Sequence, residues 1–169
     1  ICEQAVQDYE PERFAQMLQV NMLAPSRLIS HFLPPMVARR SGRVLNVSSI
    51  AGYIYPHHRQ GAYAATKAYM VSLSESMASD LRGTGVTCTH LAPGPVHTAF
   101  FASAGIGKAR PLAMPAGAVA QAGFAAMMEG KARVIPGWGN KLAALGARIS
   151  PSRRLVGWLA QKALAGRAA

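Results

Sequence analysis

Tyr63 and Lys67 stand four residues apart in Tyr63-Ala64-Ala65-Thr66-Lys67, near the start of a segment with helical patterning. That spacing puts a phenol and an ammonium on one helix face, one turn apart. A free tyrosine titrates near pH ~10 and exchanges no protons at neutrality. A cation held beside it favours the phenolate and moves its pKa toward the working range. Such pairs are common on helix surfaces, so the context decides their meaning. Ser49 lies fourteen residues before Tyr63, at the end of a strand pattern, in Asn46-Val47-Ser48-Ser49-Ile50-Ala51-Gly52. A hydroxyl at the carboxyl end of a parallel strand sits where open α/β sheets bind ligands. The loop Pro93-Gly94-Pro95-Val96-His97-Thr98 follows the next strand pattern at the same edge. A strand-end serine, a helix-start Tyr/Lys pair and a Pro-Gly loop thus converge on one crevice suited to proton transfer.

The elements that must position these groups alternate along the chain. Pro11 to about Leu33 reads as a long helix, kinked at Pro25 and ended or re-aimed by Pro34-Pro35. Arg43 to Ser49 reads as a buried strand, and Ala62 to Arg82 as a helix stopped by Gly83 and Gly85. Val86 to Ala92 is a second strand, cut off by Pro93-Gly94-Pro95, and a flexible stretch runs on to Met114. Pro115 to Glu129 reads as a helix and Arg133-Val134-Ile135 as a short third strand. Two amphipathic segments follow Trp138, at about 140–149 and 152–165, divided by Pro151. This alternation predicts an α/β fold, a Rossmann-like doubly wound parallel sheet with helices on both faces. About three strands are visible where about six are typical, so the pattern predicts the C-terminal part of such a sheet.

The 169 residues include 18 Lys or Arg and 7 Asp or Glu, a net charge of +11. Half are hydrophobic, enough to build a core and to exclude wholesale disorder. The charge is uneven. Residues 1–130 carry ten basic and seven acidic side chains, whereas 131–169 carry eight basic and none acidic. Only the tail therefore invites a polyanionic partner. It has few interleaved aromatics beyond Trp138 and Trp158, which argues against nucleic acid. Leu155, Trp158, Leu159 and Leu164 can share a face opposite Arg153, Arg154 and Lys162, as in a peripheral membrane helix. A helix packed on the domain or over the substrate pocket explains the same pattern. Cys2 and Cys88 cannot form a disulfide framework, and no ligand spacing supports a metal. Cys88 reads as a buried strand residue, His57 and His58 as an exposed loop pair, and His97 as a packing or surface residue. Tyr53, Tyr55, Phe100 and Phe101 could wall an apolar substrate pocket, though core packing accounts for them nearly as well. No G-x-S-x-G elbow supports a hydrolase.

Taken in order, Asn-Val-Ser-Ser-x-Ala-Gly, Tyr-x-Ala-Thr-Lys-Ala-Tyr and the Pro-Gly loop resemble the short-chain dehydrogenase/reductase family, in its bacterial oxidoreductase branch. The resemblance runs from residue 1 to about 136. It implies a NAD(P)-dependent oxidoreductase that interconverts a carbonyl and an alcohol; the aromatic residues named above suggest that its small-molecule substrate is apolar, and the cysteine usage suggests a reducing, cytoplasmic setting. Under the resemblance, Tyr63 is the general acid/base, and Lys67 lowers the Tyr63 pKa and binds the nicotinamide ribose. Ser49, rather than Ser48, orients and polarises the carbonyl. Asn21, in Val20-Asn21-Met22-Leu23-Ala24, holds a water of a proton relay behind Lys67, and Pro93, Gly94, Val96 and Thr98 grip the nicotinamide carboxamide. The family's glycine-rich turn and its Asn-Asn-Ala-Gly are absent; no glycine precedes Gly42. Ile1-Cys2 resembles the residues directly after Asn-Asn-Ala-Gly in that family. The expectation is a truncated piece, inactive by itself, with NAD against NADP left open. Residues 1–136 would be the C-terminal part of the Rossmann domain and 137–169 a basic amphipathic helical extension. The interval from Ser49 to Tyr63 is one residue longer than the commonest family spacing. Pairing of two copies through the long helices is implied by the resemblance alone. The alternatives are a membrane-associated protein of the same fold with a lipid-like substrate, and a non-catalytic binding module.

Overall fold

The computed structural model describes residues 5–54, 60–98 and 113–149. Tyr55, His57, His58, Phe100, Phe101 and the amphipathic segment expected at 152–165 lie outside the described residues. Among the described residues are five strands: β1 (Gly42–Val47), β2 (Val86–Leu91), β3 (Val96–His97), β4 (Met114–Pro115) and β5 (Arg133–Val134). One sheet runs β1-β2-β5 and a second, smaller one pairs β3 with β4; each of these pairings is parallel. The β3–β4 pair has no counterpart in the sequence pattern. Each strand has only two residues, and periodicity cannot register so short an element.

Five α-helices accompany them: α1 (Pro11–Leu18), α2 (Ala24–Ala38), α3 (Gly61–Asp80), α4 (Ala116–Met128) and α5 (Trp138–Ile149). β1 and β2 are in register as Val44 with Cys88 and Asn46 with His90, so alternate side chains face opposite ways. Val44, Val86 and Cys88 pack with Met77 and Leu81 of the α3 end and with Ile29, Leu33, Met36 and Val37 of α2. Burying one such side chain contributes about 1.5–3 kcal/mol. On the opposite face Gly123 of α4 comes down on Leu91 and Leu45, where a Cβ would lie 2.8 Å from Leu91 Cδ2. The sheet is therefore covered on both faces, as the alternating pattern requires. This is a Rossmann-like α/β arrangement.

The first long helix departs from expectation in two places. Between α1 and α2 the chain makes a π-helical turn at Gln19–Leu23, with the Ala24 N–H bonded to Gln19 O. Pro25 has no amide hydrogen to return to the carbonyl of Asn21, four residues earlier, so the ladder widens there instead of breaking. At the other end, Pro34 and Pro35 lie inside α2, which continues to Ala38. Leu33, Met36 and Val37 pack into the core cluster on either side of them, and that burial offsets the two lost hydrogen bonds.

Candidate active site

β1 ends at Val47, and the chain then places two adjacent serines in different surroundings. Ser48 is 2% exposed, and its hydroxyl donates to Leu91 O at 3.1 Å, tying β1 to β2. Ser49 caps the following 3-10 turn (Ile50–Gly52), accepting from the Ala51 N–H at 3.2 Å and donating to Pro93 O at 3.5 Å. Its hydroxyl also neighbours the Tyr63 phenol and favours the charged form of that group. Residue type alone cannot separate the pair, but their partners do: Ser48 is bound into the sheet and Ser49 stands at its carboxyl edge.

Tyr63 and Lys67 come from the first two turns of α3. The Ala62 N–H at that helix start donates to Tyr9 Oη at 3.2 Å, which supplies a long-range cap where no local side chain does. Lys67 Nζ lies 5.7 Å from the centroid of the Tyr63 ring and donates to Val47 O at 3.3 Å. The cation thus stands over the ring and at the end of β1 together. Burial pushes the Tyr63 phenol above its ordinary value, and the neighbouring Ser49 hydroxyl pulls the other way. Burial likewise draws the Lys67 ammonium down. The lowering of Tyr63 expected from Lys67 is not seen in this structure, where burial dominates and Ser49 alone pulls the phenol down.

The spacing between the Ser49 turn and α3 is set by Gly52. A Cβ there would lie 2.7 Å from the backbone oxygen of Lys67, so only glycine lets the turn approach the helix this closely. Asn46 secures the same two elements from inside. It is 7% exposed, and its amide donates to Ser74 Oγ at 2.9 Å. Asn21 sits in the π-helical turn and donates to Thr66 Oγ1 at 3.0 Å, while the Thr66 hydroxyl donates to Tyr63 O at 2.8 Å. Asn21 and Lys67 also line one groove of about 530 Å³ along the outer edge of β1, with Val20, Pro25, Asn46 and Val47.

Pro93 O, which receives Ser49, also accepts the Ile50 N–H at 2.9 Å. Gly94 lies so close against the Asn140 amide of α5 that a Cβ would overlap it. Val96 belongs to β3, paired with Met114, and Thr98 is exposed just beyond it. His97 is exposed and Cys88 is 2% exposed, in the environments their sequence contexts predict. Tyr53 corrects one expectation. It is 8% exposed, packs with Val71, Ala92, Ile135 and Ala144, and its hydroxyl hydrogen-bonds His90 Nε2. It belongs to the core, not to a substrate wall, because its phenol finds a buried partner on β2. Among the described residues no group of three or more His, Cys, Asp or Glu could hold a metal ion.

A profile described as short chain dehydrogenase matches residues 1–109. The chain belongs to that family. It is 41% identical over 96 residues to the uncharacterized oxidoreductase YvrD of Bacillus subtilis, covering 57% of this chain and 36% of that protein. It is 34% identical over 91 residues to dehydrogenase/reductase SDR family member 6 of Rattus norvegicus, covering 54% and 37%. The chain thus spans little more than a third of the length of these curated relatives. Among solved structures, a short-chain dehydrogenase from Sphingobium yanoikuyae in complex with NADPH aligns with a TM-score of 0.75 at 23% identity, covering 86% of this chain and 58% of that one. That likeness establishes the fold. The closed form of a serine dehydrogenase complexed with NADP+ aligns at 30% identity and a TM-score of 0.54, covering 57% and 38%.

In this short-chain dehydrogenase, sequence reasoning missed Thr66, Gly52 and Tyr9 as the residues that seat the Tyr63 helix. Thr66 carried a signal: a hydroxyl on the helix between Tyr63 and Lys67, within a motif already marked as chemical. Tyr9 carried none, since its contact spans 53 positions of sequence.

Proposed function

We propose that the whole protein is an NAD(P)-dependent oxidoreductase interconverting a carbonyl and an alcohol, with Tyr63 as the proton-transferring residue. The observation that carries this is the convergence of Ser49, at the carboxyl edge of a parallel sheet, with the Tyr63 phenol and with Lys67 Nζ 5.7 Å from the Tyr63 ring centroid. The donor set suits the nicotinamide end of such a cofactor. Lys67 has three N–H donors, of which Val47 O takes one, and it lines the groove beside the strand end. No glycine precedes Gly42, so the residues in hand offer no glycine-rich turn for a pyrophosphate. The NADPH- and NADP+-bound relatives support the same class of cofactor. When bound, the nicotinamide supplies the hydride.

The chain's own residues manage the proton. A phenol held above its ordinary pKa is protonated at neutral pH, so Tyr63 is ready to donate to an oxygen that gains negative charge. Ser49 Oγ–H, placed by its cap on the 3-10 turn, stabilises that same oxygen, a contribution that mutagenesis of comparable donors puts at about 3 kcal/mol. Asn21, through Thr66, holds the Tyr63 backbone. In the oxidising direction Tyr63 must first lose its proton, and burial opposes that step. The test is carbonyl-dependent oxidation of NADPH or NADH by the whole protein across a panel of small ketones and aldehydes. Turnover with at least one carbonyl is expected; consumption of neither cofactor with any of them would contradict the reading.

A further inference from the structure

α5 rests on the domain through Ala144 and Ala147, and Ala144 shares a core cluster with Tyr53, Val71, Ala92 and Ile135. At about 100° per residue, the opposite side of this helix carries Trp138, Leu142, Leu145 and Ile149 within an arc of roughly 60°. Those four are 79, 65, 54 and 74% exposed. Single exposed apolar residues are ordinary, but four large ones aligned on the face turned away from the core form a patch that needs a partner. Lys141 and Arg148 fall along one flank of this crest by the same geometry. Lys141 Nζ stands 4.9 Å from the centroid of the Trp138 ring. Arg148 reaches back to Glu75 at 3.0 and 3.2 Å, which ties the flank to α3.

We infer that the outer face of α5 docks on an anionic lipid surface. Trp138, Leu142, Leu145 and Ile149 enter the boundary between headgroups and acyl chains, and Lys141 meets the headgroup phosphates. Three observations select this occupant. From Lys131 onward the chain carries eight basic residues and no acidic one; Lys131, Arg133 and Arg148 pair with Glu129 and Glu75, while Lys141 stands beside Trp138 at the crest itself, a positive charge complementary to an anionic surface. The apolar side chains form a projecting ridge opposite the buried side of the helix, a shape that suits a deformable interface better than the groove of a protein partner. Trp138, the most exposed of the four, is the residue type that favours the membrane–water boundary, with its ring in the apolar zone and its N–H toward water. Among the described residues no helix is long and apolar enough to cross a membrane, so the contact is a surface one.

The test is co-sedimentation of the full chain with vesicles of phosphatidylcholine alone or mixed with phosphatidylglycerol. Binding to the mixed vesicles only is expected, with a blue shift of Trp138 emission in a Trp158→Phe background. The double substitution Leu142→Asp with Leu145→Asp changes two exposed side chains, so the circular dichroism melt should be preserved while partition falls about tenfold or more. Vesicle binding that survives this substitution would overturn the inference by moving the contact to the residues beyond α5. A concentration-dependent dimer dissolved by the same substitution, with no vesicle binding, would assign the face to a second copy. Binding of neither kind would leave the crest without a lipid role and would equally overturn it.

Discussion

Ser48 and Ser49 have the same chemistry and opposite fates, because one hydroxyl is committed to Leu91 O inside the sheet and the other meets Tyr63 at its edge. Ser49→Ala in the whole protein should lower kcat by about a hundredfold with little change in melting temperature. Ser48→Ala should do the reverse, costing about 1 kcal/mol of stability and leaving turnover nearly intact. Steady-state kinetics and thermal melts on both variants check the pair, and equal kinetic losses would refute the distinction. His90 offers a second test at this scale. It is fully buried, and burial lowers its pKa to about 4 from the ordinary 6.5. Between those values the unfolded chain binds more protons than the folded one, so stability must rise with pH across that window. The full effect is of order 3 kcal/mol, from about 1.4 kcal/mol per pKa unit. Urea unfolding at pH ~4.5 and ~7.5 should show this slope in the native protein, and His90→Gln, which keeps a partner for Tyr53, should flatten it. An unchanged slope in that variant would locate the titration elsewhere.

At the scale of elements, the site depends on how closely the Ser49 turn approaches α3. Gly52→Val places a branched side chain where even a Cβ lies 2.7 Å from Lys67 O, so turn and helix must separate. We expect at least a tenfold loss in kcat/KM with the sheet still formed, read by kinetics and far-ultraviolet circular dichroism, since displacements near 1 Å cost about a hundredfold in well-ordered sites. Wild-type kinetics in this variant would show that the approach is incidental. Much of this architecture was legible beforehand. The strands at Val44 and Cys88, the helix carrying Tyr63 and Lys67, and the alternation that builds a parallel sheet all follow from local pattern. The π-helical turn around Asn21 was legible only as a kink at Pro25, because a missing amide reveals where a ladder is disturbed but not how it reforms. Pro34-Pro35 misled, since local propensity pointed to an end and burial of Leu33, Met36 and Val37 carried the helix through. The seat of Tyr63 on Thr66 and Tyr9 depends on contacts across 45 and 53 positions, which no periodicity records.

For the whole molecule, the +11 charge first suggests a nucleic-acid binder, yet eight of the 18 basic residues lie beyond residue 130, in a segment with no acidic residue of its own. The chemistry we propose lies elsewhere, at the carboxyl edge of β1 and β2. The chain spans 36 and 37% of two of its curated relatives and has no glycine before Gly42. It holds the groups we propose for proton transfer and offers no glycine-rich turn before Gly42, so the 169 residues by themselves are expected to show no NADPH-dependent turnover; measurable carbonyl reduction by them would contradict this division of roles. We propose that Tyr63 moves the proton. Tyr63→Phe in the whole protein keeps the ring under Lys67 and removes only the hydroxyl. A fall in kcat of about 10²–10⁴ is expected, with the Kd for NADPH changed less than about threefold. Retained turnover in that variant would contradict it.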